Sequence, residues 1–239
     1  MTTDLWTEHL ERHWSIKAEL HPLDGEYGLN FLARGGDGRA VILKVMRPGC
    51  ETGLVDMQVR ALEHLGRRAP GLPFPRVVRG PEGAPFVELE DRNGDARLVW
   101  VLTKLPGHCY ARVAAKSMDL IRYVGATLGR SAWELADFEH ETLARGFKWN
   151  LMQASWIDAE LACIIDPERR ALIAEIARKF THIEPALSTL PQQAVHKDAN
   201  DYNILVDGTM GQPLVVSGLI NLGDMCTAPQ ICGLAIAAA

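Results

Sequence analysis

The most informative segment of this 239-residue chain is His196-Lys197-Asp198-Ala199-Asn200-Asp201-Tyr202-Asn203. Three of its residues, His196, Asp198 and Asn203, fit the spacing H-x-D-x-x-x-x-N. Phosphoryl transfer needs a group that orients the attacking hydroxyl and further groups that hold a metal ion on the phosphates. Asp198 can accept the hydroxyl proton, and Asn203 can reach a Mg²⁺ from the same loop. The alternative interpretation is a polar turn ahead of a strand.

A lysine in an apolar run provides a second signal. Lys44 lies inside the segment 40–46, where an ammonium group is costly unless it meets an anion. Asp56 follows at the start of the next predicted helix. A strand lysine followed by a helix acid is the arrangement with which kinases hold the α- and β-phosphates. Lys44 could equally point to solvent from an edge strand, so both interpretations stay open.

A third motif ends the last predicted strand. It reads Ile220-Asn221-Leu222-Gly223-Asp224, and Asn221 stands 18 positions after Asn203. Kinases place an Asp-Phe-Gly-type segment at this point, after a short hairpin. The spacing therefore predicts a second position that faces the metal, although an asparagine stands where an aspartate is expected.

Composition excludes several classes of protein. The chain is 47% hydrophobic and 23% charged, with a net charge of -5, which suits one large domain or two lobes. It lacks the basic character of a nucleic-acid binder. Five scattered cysteines argue against a disulfide framework and a structural zinc site. Without a signal-peptide pattern or a membrane-length apolar run, we expect a cytoplasmic protein that does not enter the membrane.

The order of predicted elements indicates an α+β, protein-kinase-like fold with two lobes. We expect a β-rich N-terminal nucleotide-binding lobe over 1–104, with one main helix, and a mainly helical catalytic lobe over 105–239 that is incomplete at its C-terminus. The cleft between the lobes is the expected ligand site. A short helix over 4–14 carries His9 and His13, and we expect it to be solvated and without metal. The predicted starts of later helices are Ser117 and Asp166-Pro167-Glu168.

These motifs lie in segments 193–206 and 216–225, which resemble the aminoglycoside phosphotransferase superfamily, most closely its hydroxylysine kinase branch. The stretches 102–107, 56–58 and 148–151 agree with that branch, and the resemblance spans roughly residues 15–239. Related domains also occur fused ahead of a class III aminotransferase. The resemblance therefore implies that this chain could be part of a longer protein.

The resemblance implies a role for each matching residue. Asp198 would orient the substrate hydroxyl, in a catalytic loop that also contains His196. Asn203 and Asn221 would face Mg²⁺, and GTP or ATP would be the phosphate donor. The implied acceptor is a small hydroxylated amine or amino acid. The implied nucleotide-binding positions are Lys44 paired with Asp56, Gly25 and Gly28 in the phosphate-covering loop 24–28, and the backbone near Thr103.

Four features depart from the family pattern. Asn221 removes a full charge from the expected metal shell, and loss of one preorganised electrostatic group costs on the order of 10²–10³ in rate. Lys197 places a cation next to the catalytic aspartate in sequence, Gly233 stands where a supporting aspartate is usual, and the sequence stops at Ala239. Two hypotheses follow: a small-molecule kinase, or a degenerate, pseudokinase-like binding or regulatory module.

Overall fold

The first lobe is built on an antiparallel sheet with one helix on each face. This computed structural model describes residues 3–25, 28–208 and 213–239. The sheet has the order β1-β2-β3-β6-β4, and β5 also pairs with β6. Its elements are α1 (Thr3–Trp14), β1 (Ala18–Leu23), β2 (Gly28–Gly35), β3 (Ala40–Met46), α2 (Thr52–Arg68), β4 (Val77–Val78), β5 (Phe86–Glu90) and β6 (Ala96–Thr103).

Helix α1 covers one face of this sheet. Trp6, Leu10 and Trp14 recur every four residues, so they share one side of the helix and are buried against the sheet. The Trp14 indole N–H also donates to the carbonyl of Val78 at 3.0 Å. The expectation that this helix is solvated is therefore wrong, because its polar composition conceals a narrow apolar stripe.

Helix α2 covers the opposite face of the sheet and joins the two lobes. Its buried side chains include Val55, Met57 and Leu62. The same apolar cluster contains Trp100 from β6 and Leu222 from the second lobe. Because the cluster is continuous, α2 packs against both the sheet and the loops that carry the late sequence motifs.

The second lobe combines helices with two small sheets. Strands β10, β9 and β7 form one sheet in that order, and β11 pairs with β8 in the other. Its elements are β7 (His108–Cys109), α3 (Met118–Glu134), α4 (Trp156–Glu160), α5 (Pro167–Ser188), β8 (Gln192–Val195), β9 (Ile204–Asp207), β10 (Val215–Leu219), β11 (Cys226–Pro229) and α6 (Ile231–Ala238). Short 3₁₀ helices lie at Tyr110–Arg112, Glu141–Ala144, Leu151–Gln153, Leu161–Cys163 and Leu222–Asp224.

The predicted helix starts of this lobe are found in the structure. The Ser117 hydroxyl accepts a hydrogen bond from the amide of Leu120, at the start of α3. The Asp166 carboxylate accepts from two amides at the start of α5, and Pro167 occupies the first turn. None of the described helices has both the length and the apolar character required to cross a bilayer.

The chain passes between the lobes after Thr103, the last residue of β6. Gly107 has a φ of 91°, and a Cβ there would collide with the carbonyl of Val206. This close approach brings the following strand, β7, onto β9 of the second lobe. The division of the chain into lobes at 104/105 stays a prediction.

Replacing Leu10 with alanine tests whether α1 is part of the folded core. Leu10 is 0% exposed, so Leu10→Ala should lower the free energy of unfolding by about 2–5 kcal/mol. Leu172 on α5 is 58% exposed, so Leu172→Ala is the matched control and should change it by less than about 0.5 kcal/mol. Urea unfolding measures both. Equal effects would mean that α1 does not pack as described.

Candidate active site

The loop 196–203 is held at both ends by strand pairs. It follows β8, which pairs with β11, and it precedes β9, which pairs with β10. The amide of Ile220 donates to the carbonyl of Asn203 at 3.0 Å. The end of β10 and the end of the loop are therefore fixed to each other, which brings the loop 196–203 and the motif 220–224 together.

Asp198 is the centre of this arrangement. One carboxylate oxygen, Oδ1, accepts a hydrogen bond from the side-chain amide of Asn200 at 2.7 Å. The other, Oδ2, accepts from the side-chain amides of Asn203 at 2.5 Å and Asn221 at 2.9 Å. The structure thus brings Asp198, Asn203 and Asn221 together, although Asn221 lies 18 positions or more after the other two in the sequence.

The surroundings of Asp198 raise its pKa to about 6. Burial is the largest cause, and the negative charge of Asp224 adds to it. The hydrogen bonds from the three asparagines oppose this rise because they stabilise the carboxylate. A carboxylate with a pKa this close to neutrality is well suited to accept a proton from a substrate.

His196 connects the loop to β10. Its Nε2–H donates to the carbonyl of Ile220 at 3.0 Å, and its Nδ1 accepts from the amide of Asp198 at 3.3 Å. These partners assign the tautomer. Burial lowers the pKa of His196 to about 4, so the ring is neutral at pH 7. The geometry gives His196 a positioning contact, and its part in catalysis stays a prediction.

The expected pair between Lys44 and Asp56 is not formed. The Asp56 carboxylate is held by Arg60, one turn further along α2, at 2.8 Å, and by His140 Nε2 at 3.1 Å. Within residues 3–25, 28–208 and 213–239, Lys44 makes no ion pair, and its ammonium lies 5.8 Å from the Trp100 ring. The prediction of this pair is wrong because Arg60 and His140 already bind the Asp56 carboxylate.

Lys44 does not point to solvent from an edge strand. Its strand, β3, lies between β2 and β6, inside the sheet. Burial lowers the pKa of Lys44, and its ammonium faces the ring of Trp100, its partner in the register of β6. Because the Lys44 ammonium is half-buried, contact with an anion explains the sequence signal better than exposure to solvent does.

The remaining predicted nucleotide-binding positions lie at or near strand ends. Gly28 begins β2, and a Cβ there would come within 2.5 Å of the carbonyl of Val45, so the backbone approach requires glycine. Gly25 is described, whereas residues 26 and 27 of the same loop lie outside the described residues. At the end of β6, the backbone amide of Thr103 donates to the carbonyl of Arg76 at 2.8 Å. Contacts of these residues with a nucleotide stay predictions.

Oxygen atoms suitable for Mg²⁺ gather around Asp198. The amides of Asn203 and Asn221 donate through their nitrogens, which leaves both amide oxygens available. The carboxylate of Asp224 lies near enough to raise the pKa of Asp198. Among the described residues, no three His, Cys, Asp or Glu side chains are grouped for a metal. The residues therefore fit a hard cation whose shell is completed by water or phosphate oxygens.

The sequence motifs missed two residues of this site and misplaced a third. Asp224 is a second carboxylate, and its signal was its place three residues after Asn221. Arg145 donates to the carbonyls of Gly223 and Met225, a contact without any local sequence signal. The third is Lys197, the cation next to Asp198 in sequence. It is buried, and its charge is not among the causes of the pKa shift of Asp198.

Comparison with known families agrees with this geometry. The model of the phosphotransferase enzyme family matches residues 19–239, which is most of the chain. The chain belongs to this family. The family resemblance expected from the sequence motifs is therefore confirmed.

Curated relatives of this family member are named hydroxylysine kinase. The protein from Mus musculus is 29% identical over 184 residues, which cover 72% of this chain and 48% of the relative. The protein from Danio rerio is 25% identical over 242 residues, which cover 96% of this chain and 67% of the relative. The chain thus spans about half the length of the first relative and two thirds of the second.

Solved structures of small-molecule kinases share the fold of this chain. An amicoumacin kinase in complex with AMP-PNP, Ca²⁺ and Ami superimposes with a TM-score of 0.72 at 14% identity, covering 99% of this chain and 68% of that one. A microcompartment-associated aminopropanol kinase gives 0.70 at 18% identity, covering 99% and 74%. The α+β, kinase-like fold expected from the sequence is confirmed.

The raised pKa of Asp198 predicts a pH-dependent effect on stability. Below pH 4 the carboxyl group is protonated in both the folded and the unfolded protein. As the pH rises through 4 to 6, the unfolded protein loses the proton first, so Asp198 comes to destabilise the fold. Asp198→Asn should therefore gain stability relative to wild type between pH 4 and pH 8, by on the order of 1 kcal/mol after allowing for partial exposure.

Thermal or urea unfolding at pH 4, 6 and 8 measures this change. Hydrogen bonds lost in Asp198→Asn shift all three values equally, so only the trend with pH is diagnostic. Asp158→Asn, at an exposed position of α4, is the matched control. The raised pKa would be contradicted if the difference in unfolding free energy between Asp198→Asn and wild type showed the same pH trend as the difference between the control and wild type.

Proposed function

We propose that this chain is a small-molecule kinase. It transfers the γ-phosphate of GTP or ATP to a hydroxyl group of a small amino alcohol or amino acid of the hydroxylysine type. The observation that carries the proposal is that the Asp198 carboxylate accepts hydrogen bonds from the side chains of both Asn203 and Asn221. The relatives named hydroxylysine kinase and the aminopropanol kinase of the same fold support an acceptor that carries both an amine and a hydroxyl group.

In this proposal Asp198 orients the acceptor hydroxyl and takes its proton as the hydroxyl oxygen bonds to the γ-phosphorus. The bond from the γ-phosphorus to the β,γ-bridging oxygen breaks, and the nucleoside diphosphate leaves. The neighbouring Asn200 and Asn203 fix the direction of the Asp198 carboxylate through their hydrogen bonds. Lys44 reaches the α- and β-phosphates from the inside of the first-lobe sheet. Gly28 allows the backbone to approach the phosphates closely.

The residues that would hold Mg²⁺ are Asn203, Asn221 and Asp224. A bound Mg²⁺ would neutralise charge on the transferring phosphate. Asp224 gives the site a carboxylate three residues after the position where the family pattern expects one. The proposal therefore places one charged ligand and two neutral ligands around the ion.

A second candidate function is a binding or regulatory module with little or no phosphotransfer. Asn221 favours it, because an amide oxygen attracts a divalent cation less strongly than a carboxylate does. The engagement of Asp56 by His140 and Arg60 also favours it, since Lys44 is then left without its kinase-type partner. Both candidates require nucleotide binding, and only the first requires turnover.

The cellular setting belongs to the same proposal. All five cysteines are free thiols, as expected for a reducing cytoplasmic compartment. The relatives extend beyond the region that this chain matches. We infer that the native product is longer and carries further residues of the acceptor pocket, in a fusion protein or in the rest of the same lobe. The mass of the native gene product measures this directly.

Turnover separates the two candidate functions. Purified protein should consume GTP or ATP with 5-hydroxylysine and Mg²⁺, and Asp198→Asn should lower the rate by at least 10²–10³ because the hydroxyl loses its proton acceptor. Asn221→Asp should raise the rate by restoring a charged metal ligand. Asp207→Asn, an exposed change at the end of β9, is the control. Absence of turnover in both wild type and Asn221→Asp would exclude the kinase candidate.

Nucleotide binding tests what the two candidates share. Mg²⁺-nucleotide at 100 times its Kd should stabilise the protein by about 2.7 kcal/mol. If Lys44→Met weakens binding tenfold, the same concentration should give only about 1.4 kcal/mol. Lys179→Met, on the surface of α5, should behave as wild type. Thermal unfolding with and without ligand measures the difference, and a flat response in wild type would count against both candidates.

A further inference from the structure

A half-buried hydrogen-bond network converges on Arg145, outside the sequence motifs. Its guanidinium donates to the carbonyl of Met225 at 2.6 Å, to the carbonyl of Gly223 and to the carbonyl of Thr142 at 3.2 Å. Two of these three carbonyls belong to the segment 221–225, called here the metal-facing loop. One side chain thus satisfies backbone acceptors on both sides of a tight turn.

The metal-facing loop needs such an external donor. Asn221 has a φ of 66°, in the left-handed region, and a single 3₁₀ turn, Leu222–Asp224, follows it. A single turn leaves carbonyls without helical partners. Arg145 supplies the missing donors in a fixed planar geometry that a lysine cannot reproduce.

Arg145 is itself held in place from three directions. Its guanidinium lies 4.7 Å from the centre of the Phe147 ring, and the negative charge of Asp224 favours its positive charge. The segment before it is anchored on α2, since His140 bonds Asp56 at 3.1 Å and the Phe138 ring lies 5.4 Å from that of His64. The guanidinium is therefore a fixed link between α2 and the metal-facing loop.

We propose that Arg145 is a positioning residue of the active site, which holds Asn221 and Asp224 in the orientation that faces the metal. The consequence for metal binding rests on the proposed function. The effect on the loop itself does not, because the contacts of Arg145 exist in the protein without ligands.

Hydrogen exchange measures the loop directly. In Arg145→Gln, the amides of residues 222–226 should exchange about 10-fold faster than in wild type, because local opening of the turn becomes easier. The amides of β9 should keep their rates. Arg145→Lys, which keeps the charge but not the fork of donors, should fall between the two and also serves if Arg145→Gln is poorly folded. Unchanged exchange at 222–226 in both variants overturns the proposal.

Arg170→Gln is the matched control. Arg170 also donates from its guanidinium to a backbone carbonyl, that of Ile164 at 2.8 Å, but it lies at the start of α5. The substitution Arg170→Gln removes the same chemical group and leaves the contacts of the metal-facing loop unchanged. Faster exchange at 222–226 in Arg170→Gln would mean that the effect is general destabilisation, and would also overturn the proposal.

The metal dependence of nucleotide binding gives the second readout. In Arg145→Gln, the Mg²⁺ concentration that gives half of the nucleotide-dependent thermal shift should rise about 10-fold, as for other residues that orient metal ligands. Binding of nucleotide without Mg²⁺ should not change. If wild type shows no nucleotide-dependent shift, the proposed function fails, while the exchange measurement still decides the role of Arg145.

Discussion

The site depends on one half-buried carboxylate that is surrounded by amides. Asp198 accepts hydrogen bonds from Asn200, Asn203 and Asn221, and these bonds recover part of the hydration that burial removes. They do not recover all of it, since its pKa still rises to about 6. The strand pairs on either side of the loop fix the position of this carboxylate.

The amide of Asn221 has opposite effects in the protein without a bound cation and in the protein with one. A carboxylate in its place would add a third negative charge beside Asp198 and Asp224, which would repel both in the absence of a cation. The amide instead donates a hydrogen bond to Asp198. It therefore stabilises the loop around Asp198. Under the proposed function, its amide oxygen would attract a divalent ion less strongly than a carboxylate, so we expect retained folding together with reduced activity.

The sequence predicted features with local signals and missed those formed by distant residues. Loop spacing brought Asp198, Asn203 and Asn221 to one place, and cap residues located the starts of α3 and α5. The contact of Asp56 with His140 could not be predicted, because His140 lies 84 positions away and comes near only in the folded chain. Arg145 and Gly223, 78 positions apart, illustrate the same limit.

Each lobe has an electrostatic cost, which comes from a positive charge in the first lobe and from negative charges in the second. In the first lobe, burial lowers the pKa of Lys44, which makes no ion pair in the part of the chain that the structure describes. In the second, Asp198 and Asp224 raise the cost of each other's charge. Under the proposed function, a metal-bound nucleotide brings phosphate to Lys44 and a cation to the two acids. One ligand then relieves both electrostatic costs, so each lobe gains most when the other is also engaged.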